Sequence, residues 1–409
     1  MSDPIDVVLF RYSPRPVELW HLNDLNVRIL TLESGRDRYF TEPKVDEEKV
    51  TFLEDFEVHT LFRTIRSIRE EGPIRSISTL GEDDMDIAGL LQEFFVSGLS
   101  DFAVGTLFKD KLLMRAALEG VVPQPSFRGL SEFTGTRTDL IDAGFGIIKP
   151  RRSAGAQGVA RLEDLTDEEF TALNLRELLA ESFVDTPRMV TGDGFAVGHE
   201  MQRFCVHEYD AGVLSSLKER RHGIALGTSR LYDESVETVK TLFDLSSRVI
   251  ETIGSSTRVT PFHFEWFVPA EGDPVFCEVG LRFGGMSIPR MVSYAFDCPL
   301  IEEYWAAMFS GRKAEQPLDR DHLDMPVRRA ICYGRYRRSG TVVSAPARED
   351  FPMAHNVWIW VKAGDEGGRD ASVVSDNAGM VELIGDSHED VLAKLAMVEA
   401  IMDEKLVVE

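Results

Sequence analysis

Residues 262–286, FHFEWFVPAEGDPVFCEVGLRFGGM, constrain this chain more than any other stretch. Two runs rich in Phe, Trp and Val flank the turn-forming cluster AEGDP, which predicts an antiparallel hairpin. If Val268 pairs with Val275 across a loop from Pro269 to Pro274, Glu265 falls directly opposite Glu278. Residues opposed in this way have Cβ atoms about 4.5–5.5 Å apart. Two carboxylates that close repel unless a proton or a cation lies between them. Hard oxygen donors converging on one point suit Mg²⁺, and Mn²⁺ by the same chemistry. The competing reading is a pair of solvated glutamates on a polar sheet face. Here each Glu sits among bulky apolar residues, and Arg282, Gly284 and Gly285 follow at once. That context favours a metal pair formed by Glu265 and Glu278. Strand alternation turns Cys277 to the face opposite Glu278. His263 shares a face with Glu265, which leaves a supporting role and a plain core histidine both open.

The chain has 409 residues, so two or three domains are expected. Hydrophobic residues make up 43% and charged residues 28%, the composition of a globular protein. No apolar run reaches the ~18 residues needed to span a bilayer. The opening MSDPIDVVLFRY places acids before the apolar run and lacks a basic region, which argues against a secretory leader and predicts a cytoplasmic protein. A net charge of −24 argues against a nucleic-acid partner, which needs a basic surface. An anionic nucleotide still binds where a few cations and backbone N–H groups are focused in a cleft. The four cysteines lack CxxC spacing and the nine histidines lack HxxxH or HExxH, so reduced thiols are expected and zinc is unsupported.

Residues 1–105 read as an α/β unit, with strands at 5–10, 27–32 and 74–79 and a helical stripe of Ile87, Leu90, Leu91, Phe94 and Phe95. No GxGxxG follows the first strand, so no dinucleotide site is expected there. A helix at 110–119 ends on Gly120. Residues 145–149 form a strand, 150–158 a loop and 159–161 a returning strand. Thr166 and Glu169 make a capping box for a helix running to about residue 178, and 179–184 is a strand. Residues 186–194, with Pro187, Gly192 and Gly194, predict a flexible insertion. Residues 203–207 and 213–217 predict a hairpin. Helices follow at 288–295 and 300–309. A polar boundary covers 312–325, and short strands and a helix at 390–404 close the chain.

Lys149 ends an apolar strand and opens a loop of small residues: Ser153, Ala154, Gly155, Ala156, Gln157 and Gly158. Small residues let backbone N–H groups approach phosphate oxygens, and a lysine at the strand end adds a charge to the same oxygens. The Walker pattern GxxxxGK[ST] is absent. Taken singly, this loop is as ordinary as any hairpin, and Lys111 is as ordinary as any surface lysine. In LKERRHG, Lys218 and Arg220 read either as phosphate contacts or as solvated loop charges.

The order of the parts carries more than any one of them. DKLLMRAALEGVVPQP comes first, then FGIIKPRRSAGAQGV, then LLAESFV, then GHEMQRFCVHEYDAGV, and HFEWF…VFCEVGLRFGG last. This series resembles the ATP-grasp superfamily over roughly residues 70–310. The resemblance implies an α/β ATP-grasp fold: a Rossmann-like N-terminal domain at 1–105, a grasp domain at 106–312 with its ATP-binding part near 110–185, and a small β-rich C-terminal lobe at 313–409. It implies that Lys111 and Lys149 contact ATP. The loop carrying Ser153, Ala154, Gly155, Gln157 and Gly158 would close over the phosphates. Glu181, Ser182, Phe183 and Val184 would meet the adenine, Glu200 the ribose, and Glu265 and Glu278 the Mg²⁺.

Most members read E-x-N-x-R at the last motif, with Asn as a third metal ligand; this chain has Gly280 there. The tail H-x-E…E-x-x-x-R-[FP]-x-G is similar to the L-amino-acid ligases of dipeptide and antibiotic biosynthesis. That similarity gives Arg282 the reacting carboxylate or acyl phosphate, with Lys218 as a further catalytic contact. The expected activity joins a carboxylate, in the first instance an amino acid, to an amine at the expense of ATP. The alternatives are a carboxylase-like enzyme with another substrate and an ATP-binding protein without turnover. Small-molecule carboxylate and amine partners are implied, and a homodimer stays open.

Overall fold

The computed structural model describes residues 3–96, 102–186, 188–218, 221–314, 317–373 and 376–409, the side chains of Ser215, Leu217 and Lys218 excepted. Strands β1 (Ile5–Leu9), β2 (Val27–Leu32), β3 (Val50–Leu53) and β4 (Ile74–Thr79) form a parallel sheet in the order β3-β2-β1-β4. All five residues of β1 (IDVVL) are buried, as in a parallel strand covered on both faces, and its one carboxylate, Asp6, pairs with Arg75 and accepts from the Ser76 hydroxyl at 2.6 Å. Helix Val58–Glu71 turns Leu61, Ile65 and Ile68 inward, and helix Met85–Phe95 adds Leu91 and Phe95 to the same core. In parallel sheets the carboxyl ends of strands at a switch in strand order make a crevice. Here the residues after β1 and β4, Phe10 and Leu80, open into the large cavity described below.

A second sheet holds β5 (Phe127–Gly129), β6 (Ile147–Pro150), β7 (Ala160–Arg161) and β8 (Leu178–Glu181) in the order β5-β8-β6-β7. Leu130, Leu140, Ile148, Leu162 and Phe170 fill its own small core. The capping box of Thr166 and Glu169 forms, but its helix is only Asp167–Thr171. A single 3-10 turn at Leu175–Glu177 then leads into β8.

The third sheet is antiparallel and eight-stranded. It contains β9 (Met189–Val197), β10 (Glu200–Tyr209), β11 (Gly223–Thr228), β12 (Val259–Phe267), β13 (Val275–Gly280) and β14 (Arg329–Tyr336). Of the strands that follow, β15 (Gly340–Ser344), β17 (Glu366–Gly367) and β19 (Val407–Val408) make a small separate sheet. The other two, β16 (Asn356–Ile359) and β18 (Asn377–Gly385), complete the order β13-β12-β9-β10-β11-β14-β18-β16. Residues beyond 326 thus continue the same sheet that carries the paired glutamates. Helices Val236–Ile253, Ile288–Phe296 and Leu300–Ser310 share the largest core with it. Helix His388–Lys405 packs Val391, Leu395, Val398 and Met402 beneath β14 and β18.

Two expectations are corrected here. Residues 189–197 are not a flexible insertion but a buried central strand between β12 and β10. Gly192 and Gly194 serve close packing rather than a turn: a Cβ on Gly192 would lie 2.7 Å from the Phe204 ring, and one on Gly194 1.9 Å from the Arg203 carbonyl oxygen. Residues 213–218 form a helix, so β10 pairs with β11 instead of with that segment. Among the described residues no helix is long and apolar enough to cross a membrane.

Candidate active site

The three sheets meet around one cavity of about 1530 Å³. The glutamate hairpin forms one wall. Glu265 pairs with Glu278 as the sequence predicts, but Phe267, not Val268, pairs with Val275. A bulge at Cys277 absorbs the difference, because Trp266 pairs with Phe276 while Glu265 pairs with Glu278. A bulge re-aims the side chains beside it. Cys277 therefore shares the cavity with Glu278 instead of facing away, and its Sγ lies 3.9 Å from Glu265 Oε2.

Cations from other elements meet these carboxylates. Asp110 caps helix Lys111–Ala117 by accepting from the Leu112 and Leu113 amides, which fixes Lys111 in its first turn. Lys111 Nζ lies 3.3 Å from Glu278 Oε2 and donates to the Ser153 carbonyl at 2.5 Å. Burial alone would raise the Glu278 carboxyl, but Lys111, Lys149 and Arg282 together hold it below the usual range. Burial likewise works against the Lys111 cation, and Glu278 and Glu82 outweigh it.

Four residues further along the same helix, Arg115 faces the same way. Its Nε is 2.8 Å from Glu181 Oε1, while Lys149 Nζ is 2.8 Å from Glu181 Oε2. Arg115 also donates to the carbonyls of Phe276 and Cys277, at 3.2 and 2.6 Å, and so holds the bulge. Burial would raise the Glu181 carboxyl; Lys149 and Arg115 overcome it and bring the group down to about 2.

Glu265 is backed from inside the sheet. His263 Nε2 lies 3.6 Å from Glu265 Oε1, and His263 Nδ1 lies 2.7 Å from Asp193 Oδ1. Asp193 is fully buried and also accepts from the Thr191 hydroxyl at 2.6 Å. Burial would lower the imidazole; Asp193 carries it up to about 9. Gly284 is obligatory beside this pair, since a Cβ there would come within 2.6 Å of His263 Nδ1 and 2.7 Å of Asp193 Oδ1. Arg282 completes the group: its Nε and Nη2 each lie 2.7 Å from Glu82 Oε2, which follows β4 of the parallel sheet.

The small-residue loop covers the same cavity. Gly155 (φ 60°), Ala156 (φ 62°) and Gly158 (φ 72°) are left-handed, a conformation glycine adopts freely and alanine does not. Lys111 ties the Ser153 carbonyl, Arg151 pairs with Asp110 at 2.5 Å, and Arg152 pairs with Asp86.

Of the residues singled out from sequence, Lys111, Lys149, Ser153, Ala154, Gly155, Gln157, Glu181, Ser182, Phe183, Val184, Glu265, Glu278 and Arg282 line this one cavity. Gly158 sits at the loop's base against Pro150. Glu200 does not join them. It begins β10 at the exposed end of the β9–β10 hairpin and pairs with Lys313 at 2.9 Å. That is a correction to its expected ribose role, and it follows from the missed strand β9. Lys218 ends its helix, but its side chain, like the whole of Arg220, falls outside the described residues. Arg115, Asp193 and Glu82 escape the sequence reading. The spacing of Lys111 and Arg115 was a usable signal for the first. Asp193 was hidden between two glycines, and nothing local marks Glu82.

Among the described residues no group of three or more His, Cys, Asp or Glu side chains forms a metal cage. Mg²⁺ rarely asks for one; it takes one or two carboxylates and completes its shell with phosphate oxygens and water. The opposed, half-buried Glu265 and Glu278, their charges now met by His263 and Lys111, fit that requirement.

The chain has the ATP-grasp fold. It superposes along 100% of its length on 99% of an L-amino acid ligase from Bacillus licheniformis, with a TM-score of 0.75 and 17% identity. A carboxyaminoimidazole ribonucleotide synthase from Aspergillus clavatus, solved with ATP, matches 98% of this chain over 99% of its own (TM-score 0.71, 13% identity). The biotin carboxylase domain of the Hydrogenobacter thermophilus 2-oxoglutarate carboxylase, solved with MgADP and bicarbonate, matches 99% over 90% (TM-score 0.65, 12% identity). No family model and no curated protein matches the sequence.

Proposed function

We propose that the protein is a Mg-ATP-dependent ligase that activates a carboxylate, in the first instance an amino acid, and joins it to an amine. The observation that carries this reading is the direct pairing of Glu265 with Glu278 in a cavity shared with Lys111, Lys149 and Arg282. A carboxylate is a poor electrophile, so it must first be phosphorylated. Its oxygen attacks the γ-phosphorus of ATP and ADP leaves. The amine nitrogen then attacks the acyl carbon, loses a proton, and inorganic phosphate departs.

When bound, Mg²⁺ would supply charge neutralisation across the β- and γ-phosphates, with Glu265 and Glu278 as its protein ligands. Lys111 and Lys149 place fixed positive charge at the phosphate end. Arg282 presents a planar fork suited to the reacting carboxylate and to the oxyanion formed on amine attack. The loop through Ser153 and Gln157 shields the acyl phosphate from water. Arg115 and Asp193 act at one remove, by holding Glu181 and His263.

Phosphate release from ATP across a panel of amino acids and amines, with products identified by mass spectrometry, tests the proposal. Release that needs both a carboxylate and an amine, with an amide product, supports it. Release driven by bicarbonate alone would move the protein to the carboxylase-like class, and ATP binding without release under any condition would exclude turnover.

A further inference from the structure

The cavity that Arg282 lines has a further wall that nothing in ATP chemistry requires. Edge strand β16 builds it. Val357 and Ile359 pack into the core above helix His388–Lys405, so Trp358, between them, faces the cavity, and Trp360 follows on the same side. The register of β16 on β18 sets Met380 opposite Trp358, and Met286, four residues after Arg282, lines the same cavity. Trp360 is 47% exposed although it lines a cavity, so much of its ring is available to a ligand.

The wall is braced. Arg290 stands 5.1 Å from the Trp358 ring centroid, with its Nε 3.3 Å from the buried Glu382 and its Nη2 donating to the Tyr294 hydroxyl at 3.0 Å. A cation over an aromatic face fixes that ring in place. On the ligase reading the adenine meets Glu181, Ser182, Phe183 and Val184, on and just after β8, which belongs to another sheet.

We propose that the Trp358–Trp360–Met380 wall is the side-chain subsite of an organic substrate bearing a planar aromatic group, of the class of aromatic amino acids. Two tryptophans and two thioethers offer flat, polarizable surface, and the two arginines that line the same cavity beside them are already engaged, Arg290 by Glu382 and the Tyr294 hydroxyl and Arg337 by the Asn377 carbonyl. That the bound molecule is a substrate rests on the ligase reading; that an aromatic group binds here does not.

The test is calorimetric titration of the full chain, with Mg-ADP present, by L-Trp, L-Tyr and L-Phe against L-Leu, L-Ala and L-Glu. The expected result is aromatic binding about tenfold or more tighter than L-Leu, lost by roughly tenfold in Trp360→Ala, with Mg-ADP affinity unchanged. Trp358→Phe, which keeps an aromatic face, should retain most of the affinity. Aromatic amino acids binding no tighter than L-Leu, or Trp358→Ala and Trp360→Ala both leaving affinity intact, would overturn the proposal. Phosphate release with small amino acids alone would leave the ligase standing and the subsite refuted. Aromatic binding at the wall without release in any amine would do the reverse.

Discussion

Removing Arg115 is the sharpest test of how the cavity is held together. The side chain is fully buried and makes three charge-assisted hydrogen bonds: to Glu181, to the Phe276 carbonyl and to the Cys277 carbonyl. Arg115→Met keeps an apolar stem of similar length and deletes all three donors. Each such bond contributes about 1.5–3 kcal/mol net. Glu181 keeps Lys149 at 2.8 Å, so the loss stays below the full sum. Breaking a buried pair by removing one partner costs about 3–5 kcal/mol, and that range is expected here. Urea unfolding of wild type and Arg115→Met measures it. Glu181→Gln, which leaves Arg115 and Lys149 facing each other without an anion, should cost a similar amount. The double variant should lose less than the two single losses combined by at least about 1 kcal/mol, because the groups share one network. A loss below about 1 kcal/mol for Arg115→Met, the value of an exposed pair, would refute this account of the cavity's frame.

Three further outcomes follow from the same geometry. Glu278→Gln should abolish Mg-dependent phosphate release while the far-ultraviolet dichroism stays native; retained turnover would remove the metal assignment. Arg282→Ala should lower kcat by about 10²–10³ and leave the ATP dissociation constant nearly unchanged, the reverse pattern marking a nucleotide contact instead. Glu181 has its folded carboxyl at about 2 against an ordinary value of 4.5, so its stabilisation is complete above pH 4.5 and is lost as pH falls through 2. That difference corresponds to about 3 kcal/mol, and the urea midpoint of wild type should fall more steeply than that of Glu181→Gln between pH 5 and pH 3.

The glutamate hairpin was legible because a turn cluster between two aromatic-rich runs sets the register almost alone. Even so, the Glu265–Glu278 pairing came from a one-residue error in the loop that the bulge at Cys277 cancels. Bulges leave no local signature in sequence, which is why Cys277 was placed on the wrong face. Strand β9 was lost because Gly192 and Gly194 read as turn residues, whereas tertiary packing against Phe204 and the Arg203 backbone demands them. With β9 went Asp193, and the position of Glu200 became wrong. The helix at Val213–Lys218 shows the common ambiguity of a six-residue apolar run, which periodicity cannot assign to helix or strand. Glu82 reaches Arg282 from 200 residues away, and no local pattern encodes such a contact.

The central claim is that the substrate carboxylate is phosphorylated in this cavity. Single-turnover reaction with a carboxylate substrate labelled with ¹⁸O in both oxygens tests it most directly, with the label followed into inorganic phosphate by mass spectrometry. Phosphate carrying one ¹⁸O per amide formed is the predicted result. Amide formation with unlabelled phosphate would contradict it.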